Sequence, residues 1–488
     1  MATPPNPNPS HLVSPASKKT KIITTLGPAS FDKKTLRELI LAGANVMRLN
    51  FSHADYSLLT QAIQDIRDLN KELGTSVGIL GDLQGPKIRI GEMPQGGVLF
   101  EPGDRLTMVT TPVTGSKEEI YINYSQLPMD IRPGDLLLLD DGKLKFKALS
   151  SNARDRIELE VISGGLLTSR KGVNLPDTEV ALPSLTDKDR KDLEFILEHR
   201  LDWVALSFVR KALDVEALRK EIQAKGQDIP VMSKIEKPSA VADLENIVAA
   251  SDAVMIARGD LGVEFPIEQL PLIQKRIVRL CMDLCKPVVV ATQMMESMIT
   301  NFMPTRAEAN DVANAVLDGA DALMLSGETS MGSHPAQVVE YMVRIIGAVE
   351  AQSEIYYREH RISQDSSTFI SDQLCYLASR AAYRVDAQAI VGFTKSGYTA
   401  FQVSSYRPKS GIIIFTPNQN LLTRISLVWG VQALFYDKLT STDETIEDVS
   451  RILKANGWLK SGDTVVNTGV MPLHSVHRAN FIKLTVID

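Results

Sequence analysis

Cysteine is scarce in this sequence: three residues in 488, at positions 281, 285 and 375. Three thiols cannot build the disulfide framework of a small secreted domain, so the fold must rest on packed cores in a reducing compartment, the cytoplasm. Cys281 and Cys285 stand four apart in an apolar-periodic stretch without further ligand residues nearby, and read as buried helix cysteines rather than a metal pair. No apolar run nears the roughly 18 residues that a membrane crossing needs. Excess positive charge is also missing. The chain has 53 Lys and Arg against 59 Asp and Glu, a net charge of -6, which argues against nucleic acid as a partner but allows a small basic pocket. The stretch 1–17 has five prolines, no Lys or Arg and no apolar segment. It is neither a secretory signal nor a basic transit peptide, and a disordered leader is expected.

What is present is a globular mix, 44% hydrophobic and 23% charged, long enough for two to four domains. Short apolar runs alternate with helix-like segments at 21–26, 44–51, 77–83, 202–209, 230–236, 253–260, 287–294 and 322–328. Eight such runs predict a closed (β/α)8 TIM barrel. Helix punctuation agrees. Asp32 precedes Leu36, Leu39 and Ile40 with Gly43 as the stop, and Pro304 opens a helix whose apolar face holds Ala309, Val312 and Val316 before Gly319. More than a hundred residues separate the third and fourth runs, and they are patterned for strands. Residues 135–147 read as two strands joined by a turn at Asp141-Gly142. The expectation is a catalytic barrel over 18–87 and 183–352, with an inserted β-barrel lid over 88–182 hinged near Gly85-Pro86 and Leu182-Pro183. Strand patterns at 389–393, 411–415, 431–435 and 463–466 predict a separate C-terminal α/β domain over 353–488.

In such a barrel, chemistry gathers where the strands end. All eight runs end in polar or charged groups: Thr24-Thr25, Arg48 through His53, Asp82, Ser207, Lys234 with Glu236, Arg258-Gly259-Asp260, Thr292-Gln293 and Ser326-Gly327-Glu328. Strand alternation puts Arg48, Asn50 and Ser52 on one face and Leu49 and Phe51 on the other. Glu236 and Asp260 on neighbouring strands could hold one hard cation through oxygen. Gly259 permits close backbone approach, and a helix expected to begin near Leu261 offers free N–H groups to a carboxylate. A metal, an ammonium and an Arg converging on a small anion suit phosphoryl transfer, which needs charge neutralisation more than covalent chemistry. The residues alone give a metal-dependent enzyme of a small phosphorylated acid.

Seven stretches then carry a resemblance: TKIITTLGP at 20–28, VMRLNFSH at 46–53, SKIE at 233–236, ARGDLG at 257–262, ATQMMESM at 291–298, PTRAE at 304–308 and LSGET at 325–329. In this order, and from Lys18 onward, the chain resembles the pyruvate kinase family. The resemblance implies phosphoenolpyruvate and ADP/ATP as substrates, Mg2+ (or Mn2+) held by Glu236 and Asp260, and a second Mg2+ arriving with the nucleotide. It implies Lys234 against the phosphoryl group in flight, and Arg48 on the substrate phosphate. Ser207 falls at a substrate position, and the N–H groups of Gly259 and Asp260, with Thr292, at the carboxylate. Thr292, Ser326 and Glu328 would relay the proton that turns enolpyruvate into pyruvate. Asn50, His53, Arg89 and Lys171 match nucleotide contacts. A homotetramer is also implied.

Two departures follow. Members that need K+ usually carry Glu where this chain has Lys87, after Asp82-Leu-Gln-Gly-Pro. An ammonium there can replace the cation, so K+ is expected not to be required, although Asn50, Ser52 and Asp82 match its ligands. Thr394, Lys395, Ser396, Gly397 and Thr399 match a phosphate loop for an allosteric effector. The later loop 469–478 is poor in the glycines and hydroxyls that grip a bisphosphate, which favours a monophosphate such as a sugar monophosphate or AMP. Two other readings fit part of the pattern: a barrel enzyme making or breaking a carbon–carbon bond of phosphoenolpyruvate, and a non-catalytic sensing paralogue. Met294, Met295, Met298, Trp203 and Trp429 read as core, Trp458 as lying near the C-terminal domain's surface, and the charged stretch 187–194 as a solvated helix face.

Overall fold

The computed structural model describes residues 18–488 except 361, 363, 365, 439, 440 and 472–477, and all side chains among them except that of His53. The expected leader, 1–17, lies outside the described residues, as does most of the loop 469–478. Eight parallel strands, Lys21–Thr25, Val46–Asn50, Gly78–Asp82, Trp203–Leu206, Val231–Ile235, Ala253–Ala257, Val288–Ala291 and Ala322–Leu325, close into a barrel. Lys21 of the first strand pairs with Ala322 of the eighth. Each strand is a short apolar run because both of its faces are covered. Alternate residues such as Ile22, Leu49, Val204 and Val290 pack outward against the helices. Ile23, Leu80, Trp203, Met232, Met255 and Met324 fill the interior. Leu427, from the C-terminal domain, joins that interior cluster, and Trp203 Nε1 donates to the Arg424 carbonyl at 3.0 Å.

Local signals set the helix ends. Asp32 accepts from the Thr35 N–H, and Gly43 closes helix Lys33–Ala42 at φ +117°. Helix Arg306–Asp318 opens on a Thr305–Glu308 capping box, so Pro304 sits just ahead of the cap rather than in the first turn. Two bland readings need correction. The stretch 187–194 is helical, within Asp187–Glu198, but it is not all solvated: Asp189 and Asp192 are buried. Asp189 caps the helix with Thr186 and accepts from the Gly85 N–H, while Asp192 takes the Tyr56 hydroxyl and Lys188. Cys281 is buried in helix Leu270–Asp283, but Cys285 lies beyond its end at φ +54°, half-buried. Cys375 is buried, and Met294, Met295, Met298, Trp203 and Trp429 are core. Trp458 is half-buried.

The insertion is built on β-structure. Its strands form a six-stranded sheet, in the order Val173–Asn174, Leu136–Leu139, Leu144–Ser151, Arg156–Ser163, Arg105–Val109, Glu119–Tyr121, and a separate ribbon of Val98–Phe100 with Gly165–Leu167. Residues 88–91 bridge the two edges of the sheet and close it into the expected β-barrel: the Ile90 N–H donates to the Lys171 carbonyl at 3.0 Å on one side, and the Gly91 N–H to the Tyr121 carbonyl at 3.0 Å on the other. Leu139 pairs with Leu144, so the turn holds four residues, and Asp140, Asp141 and Gly142 all adopt positive φ. Asn174 donates to Glu264 on the barrel at 3.0 Å.

In the C-terminal domain the strand order is Val431–Phe435, Gly411–Thr416, Ala389–Phe393, Thr464–Gly469, Phe481–Val486. The first four are parallel, and the last, which the sequence pattern did not reveal, runs antiparallel at the edge. No helix among the described residues is long and apolar enough to cross a membrane.

Candidate active site

A cavity of about 120 Å3 opens at the C-terminal ends of the barrel strands. Arg48, Asn50, Ser52, Asp82, Lys87, Ser207, Lys234, Glu236, Asp260, Thr292 and Ser326 all line it. Their convergence follows from strand alternation, with Leu49 and Phe51 turned into the helix layer as the pattern predicts.

Lys234 lies at the centre. Its Nζ is 2.9 Å from Glu236 Oε1 and 3.5 Å from Asp82 Oδ1, and it donates to Ser207 Oγ at 2.8 Å. The Ser207 hydroxyl in turn donates to the Leu83 carbonyl at 2.7 Å. Arg48 donates to Asp82 Oδ2 at 2.7 Å and to Thr25 Oγ1 at 3.0 Å. Burial works against a charged Lys234, but Asp82 and Glu236 outweigh it and hold the ammonium well above the ordinary lysine range. Burial would likewise raise Asp82, yet Lys234 and Arg48 keep it ionised. Lys234 is therefore held in its charged form by its two carboxylate neighbours.

Glu236 and Asp260 answer differently. Glu236 Oε2 accepts from the Phe208 N–H at 2.7 Å. Its buried Oε1, though close to Lys234, has no hydrogen bond of good geometry. Asp260 is pushed up to about 6 by burial and by the neighbouring Glu236 carboxylate. Two crowded acids, one with an unsatisfied oxygen, fit a hard divalent cation. No group of three or more His, Cys, Asp or Glu converges among the described residues, so substrate and water oxygens would complete the shell. Lys87 lines the same cavity, and burial pulls it below the usual lysine range against the opposing field of Asp260.

On the opposite wall Thr292 adopts φ +70°. Its hydroxyl donates to the Ala291 carbonyl at 2.6 Å and accepts from the Gly259 N–H at 2.7 Å. The helix here is Arg258–Glu264, starting three residues earlier than expected, and the Gly259 N–H is not free. Ser326 Oγ is buried without a partner. Glu328 does not line the cavity. It accepts from the Met295 and Ser326 N–H groups at 3.1 and 2.7 Å, and burial raises its pKa. Arg258 also turns away from the cavity, toward Asp311.

Other expected residues are not brought together. Arg89 donates to the Arg170 carbonyl at 3.2 Å and Lys171 pairs with Asp140 at 2.8 Å, both on the inserted domain and outside the cavity lining. Of that set only Asn50 lines the cavity, and the His53 side chain lies outside the described residues. In the C-terminal loop, Thr394 Oγ1 accepts from the Gly397 N–H at 3.0 Å, with Gly397 at φ +86°. Ser396 Oγ accepts from the Tyr398 N–H at 3.4 Å, and the Lys395 carbonyl accepts from Asn418. Thr399 is buried, so its hydroxyl is not presented to solvent. Sequence reasoning missed Phe208, whose N–H fixes Glu236 from a backbone at φ +54°. No residue pattern signals that contact.

Comparison with known proteins bears on this geometry. The family described as pyruvate kinase, barrel domain, matches residues 17–339, and that described as pyruvate kinase, alpha/beta domain, matches 372–485. The chain is 42% identical over 470 residues to a pyruvate kinase of Corynebacterium efficiens, covering 96% of this chain and 98% of that one. It is 41% identical to pyruvate kinase 2 of Synechocystis, covering 97% of this chain and 80% of the relative. A crystal structure of a Cryptosporidium parvum pyruvate kinase superposes with a TM-score of 0.90 at 34% identity, over 96% of both chains.

Proposed function

The chain belongs to the pyruvate kinase family, and on that footing we propose that it moves the phosphoryl group of phosphoenolpyruvate onto ADP, giving pyruvate and ATP. The observation that carries this reading is Lys234, an ammonium held between Asp82 and Glu236 in a cavity whose walls include Arg48, Asp260 and Thr292. The transferred PO3 unit carries dispersed negative charge, and preorganised cations in a small, water-poor site stabilise it far more than they would in water. Arg48, fixed by Asp82 and Thr25, holds the substrate phosphate. Held by Glu236 and Asp260, Mg2+ (or Mn2+) would supply further neutralisation at the same group. The Asp260 N–H and Thr292 take the substrate carboxylate. Gly259 joins them once its N–H exchanges Thr292 Oγ1 for the ligand.

Phosphoryl loss leaves an enolate, and ketonisation needs a proton at its methylene carbon. Ser326 Oγ, buried, unpartnered and facing the cavity, is the hydroxyl suited to pass it, alongside Thr292. Glu328 supports the relay by fixing the loops that carry Ser326 and Met295. Asn50, His53, Arg89 and Lys171 bind the nucleotide when the inserted domain closes and excludes water. Lys87, sharing the cavity with Asn50, Ser52 and Asp82, makes K+ unnecessary. The loop 394–399 takes a phosphorylated activator through Thr394, Lys395, Ser396 and Gly397. A cytoplasmic homotetramer completes the reading.

The test is a coupled assay with phosphoenolpyruvate and ADP on purified protein. Lys234→Met should lower kcat by at least about 100-fold, the scale of losing one preorganised charge partner. An unchanged rate would remove the proposed mechanism.

A further inference from the structure

Thr292 is a β-branched residue in the left-handed region, φ +70°, followed by Gln293 at φ +54°. Two consecutive non-glycine residues in that region are strained and persist only where the surroundings over-determine them. The restraint on the backbone carbonyls of this turn comes from outside the cavity. Arg258 Nη2 donates to the Thr292 carbonyl at 2.8 Å, and Nε reaches the Ala291 carbonyl at 3.4 Å. The guanidinium is itself gripped through two parallel bonds, Nη1 to Asp311 Oδ1 and Nη2 to Asp311 Oδ2, both 2.7 Å. Such a fork fixes the plane of the guanidinium as well as its position. Asp311 comes from helix Arg306–Asp318 and touches nothing in the cavity.

We infer that Asp311 and Arg258 are positioning residues that hold the Thr292 hydroxyl at the substrate by locking the strained turn from behind. The inference rests on the phosphoryl-transfer reading of the cavity. Chain order explains the arrangement. Arg258 follows the sixth strand directly and Thr292 follows the seventh, so the arginine spans from one strand end to the next and ties the Thr292 wall to the helix bearing Asp260. Without the Asp311 anchor the guanidinium loses its orientation. The turn can then relax toward ordinary φ, which swings the hydroxyl away from the Gly259 N–H and out of line with the substrate. A misplacement of about 1 Å suffices for large losses in rate.

The decisive experiment is a double-mutant cycle between Asp311→Asn and Thr292→Ala, with kcat and separate KM values for phosphoenolpyruvate and ADP. Asp311→Asn is nearly isosteric, and Arg258→Lys probes the same lock independently. Either should reduce kcat/KM for phosphoenolpyruvate by roughly 10- to 100-fold with KM for ADP unmoved. In the Thr292→Ala background, Asp311→Asn should cost nothing further. An equal loss in both backgrounds, or a parallel rise in both KM values, overturns the inference while leaving the proposed activity standing. Full activity in Thr292→Ala alone would instead remove Thr292 from the site, and the inference with it.

Discussion

Arg407 of the C-terminal domain grips Asp321, just before the eighth barrel strand, through Nη2 to Oδ2 at 2.9 Å and Nη1 to Oδ1 at 3.2 Å, with both residues almost wholly buried. The guanidinium also lies 5.0 Å from the centre of the Trp429 ring, and Asp321 accepts from the Val288 and Trp429 N–H groups. Removing one partner of a buried pair strands the other charge. Arg407→Met should therefore destabilise domain docking by roughly 3–5 kcal/mol. Thermal unfolding with limited proteolysis between the domains would show it, and adding Asp321→Asn should recover part of the loss. An unchanged melting profile in Arg407→Met would contradict the assignment.

Lys87 gives a second expectation. The wild-type rate should be the same with K+ as with a bulky organic cation. Lys87→Glu should lose activity without K+ and regain it when K+ is added, because the ammonium is then supplied by no side chain. A Lys87→Glu variant that ignores K+ would detach this residue from the role.

Asp202 makes a pH prediction. Burial between the barrel and the C-terminal domain pushes it up to about 6, opposed by hydrogen bonds from Thr423 and from the Ile79 N–H. The folded protein thus retains a proton that the unfolded chain, with an ordinary aspartate near 3.9, has already released. The stability from this group is whole below the unfolded value and is lost as pH rises through about 6. Asp202→Asn can keep both contacts without ionising. Its melting temperature relative to wild type should climb between roughly pH 4 and pH 7. A pH-independent difference would count against the shifted carboxyl.

In the C-terminal loop, Lys395→Glu should abolish activation by phosphorylated effectors while leaving the basal rate intact. Titration with a panel of sugar monophosphates, AMP and a bisphosphate is the measurement. An undiminished response to every effector would discard the loop 394–399.

The barrel was legible because its eight strands are doubly buried and therefore uniformly apolar, and because period-2 alternation is enough to place Arg48, Asn50 and Lys234 on the cavity side. Side-chain direction after a strand ends was not legible. Arg258 and Glu328 occupy the same sequence context as Asp260 and Ser326, yet the helix that starts at Arg258 and the helical turn Gly327–Ser330 send them behind the wall. Asp189 was misread as solvated although its capping box with Thr186 was visible in the sequence; the pattern of charge hid the cap. The edge strand Phe481–Val486 alternates weakly, with Leu484 and Val486 exposed, so periodicity gave it no signature.

Leu427 reaches into the barrel's interior from below, within a cluster that also holds Met255 and Met324, and those two methionines form part of the cavity wall above. The C-terminal domain thus supplies a stopper for the barrel. A barrel severed from its partner would be an open-bottomed vessel with Ile23, Leu80 and Trp203 wetted from beneath, so neither half should be expected to survive transplantation alone.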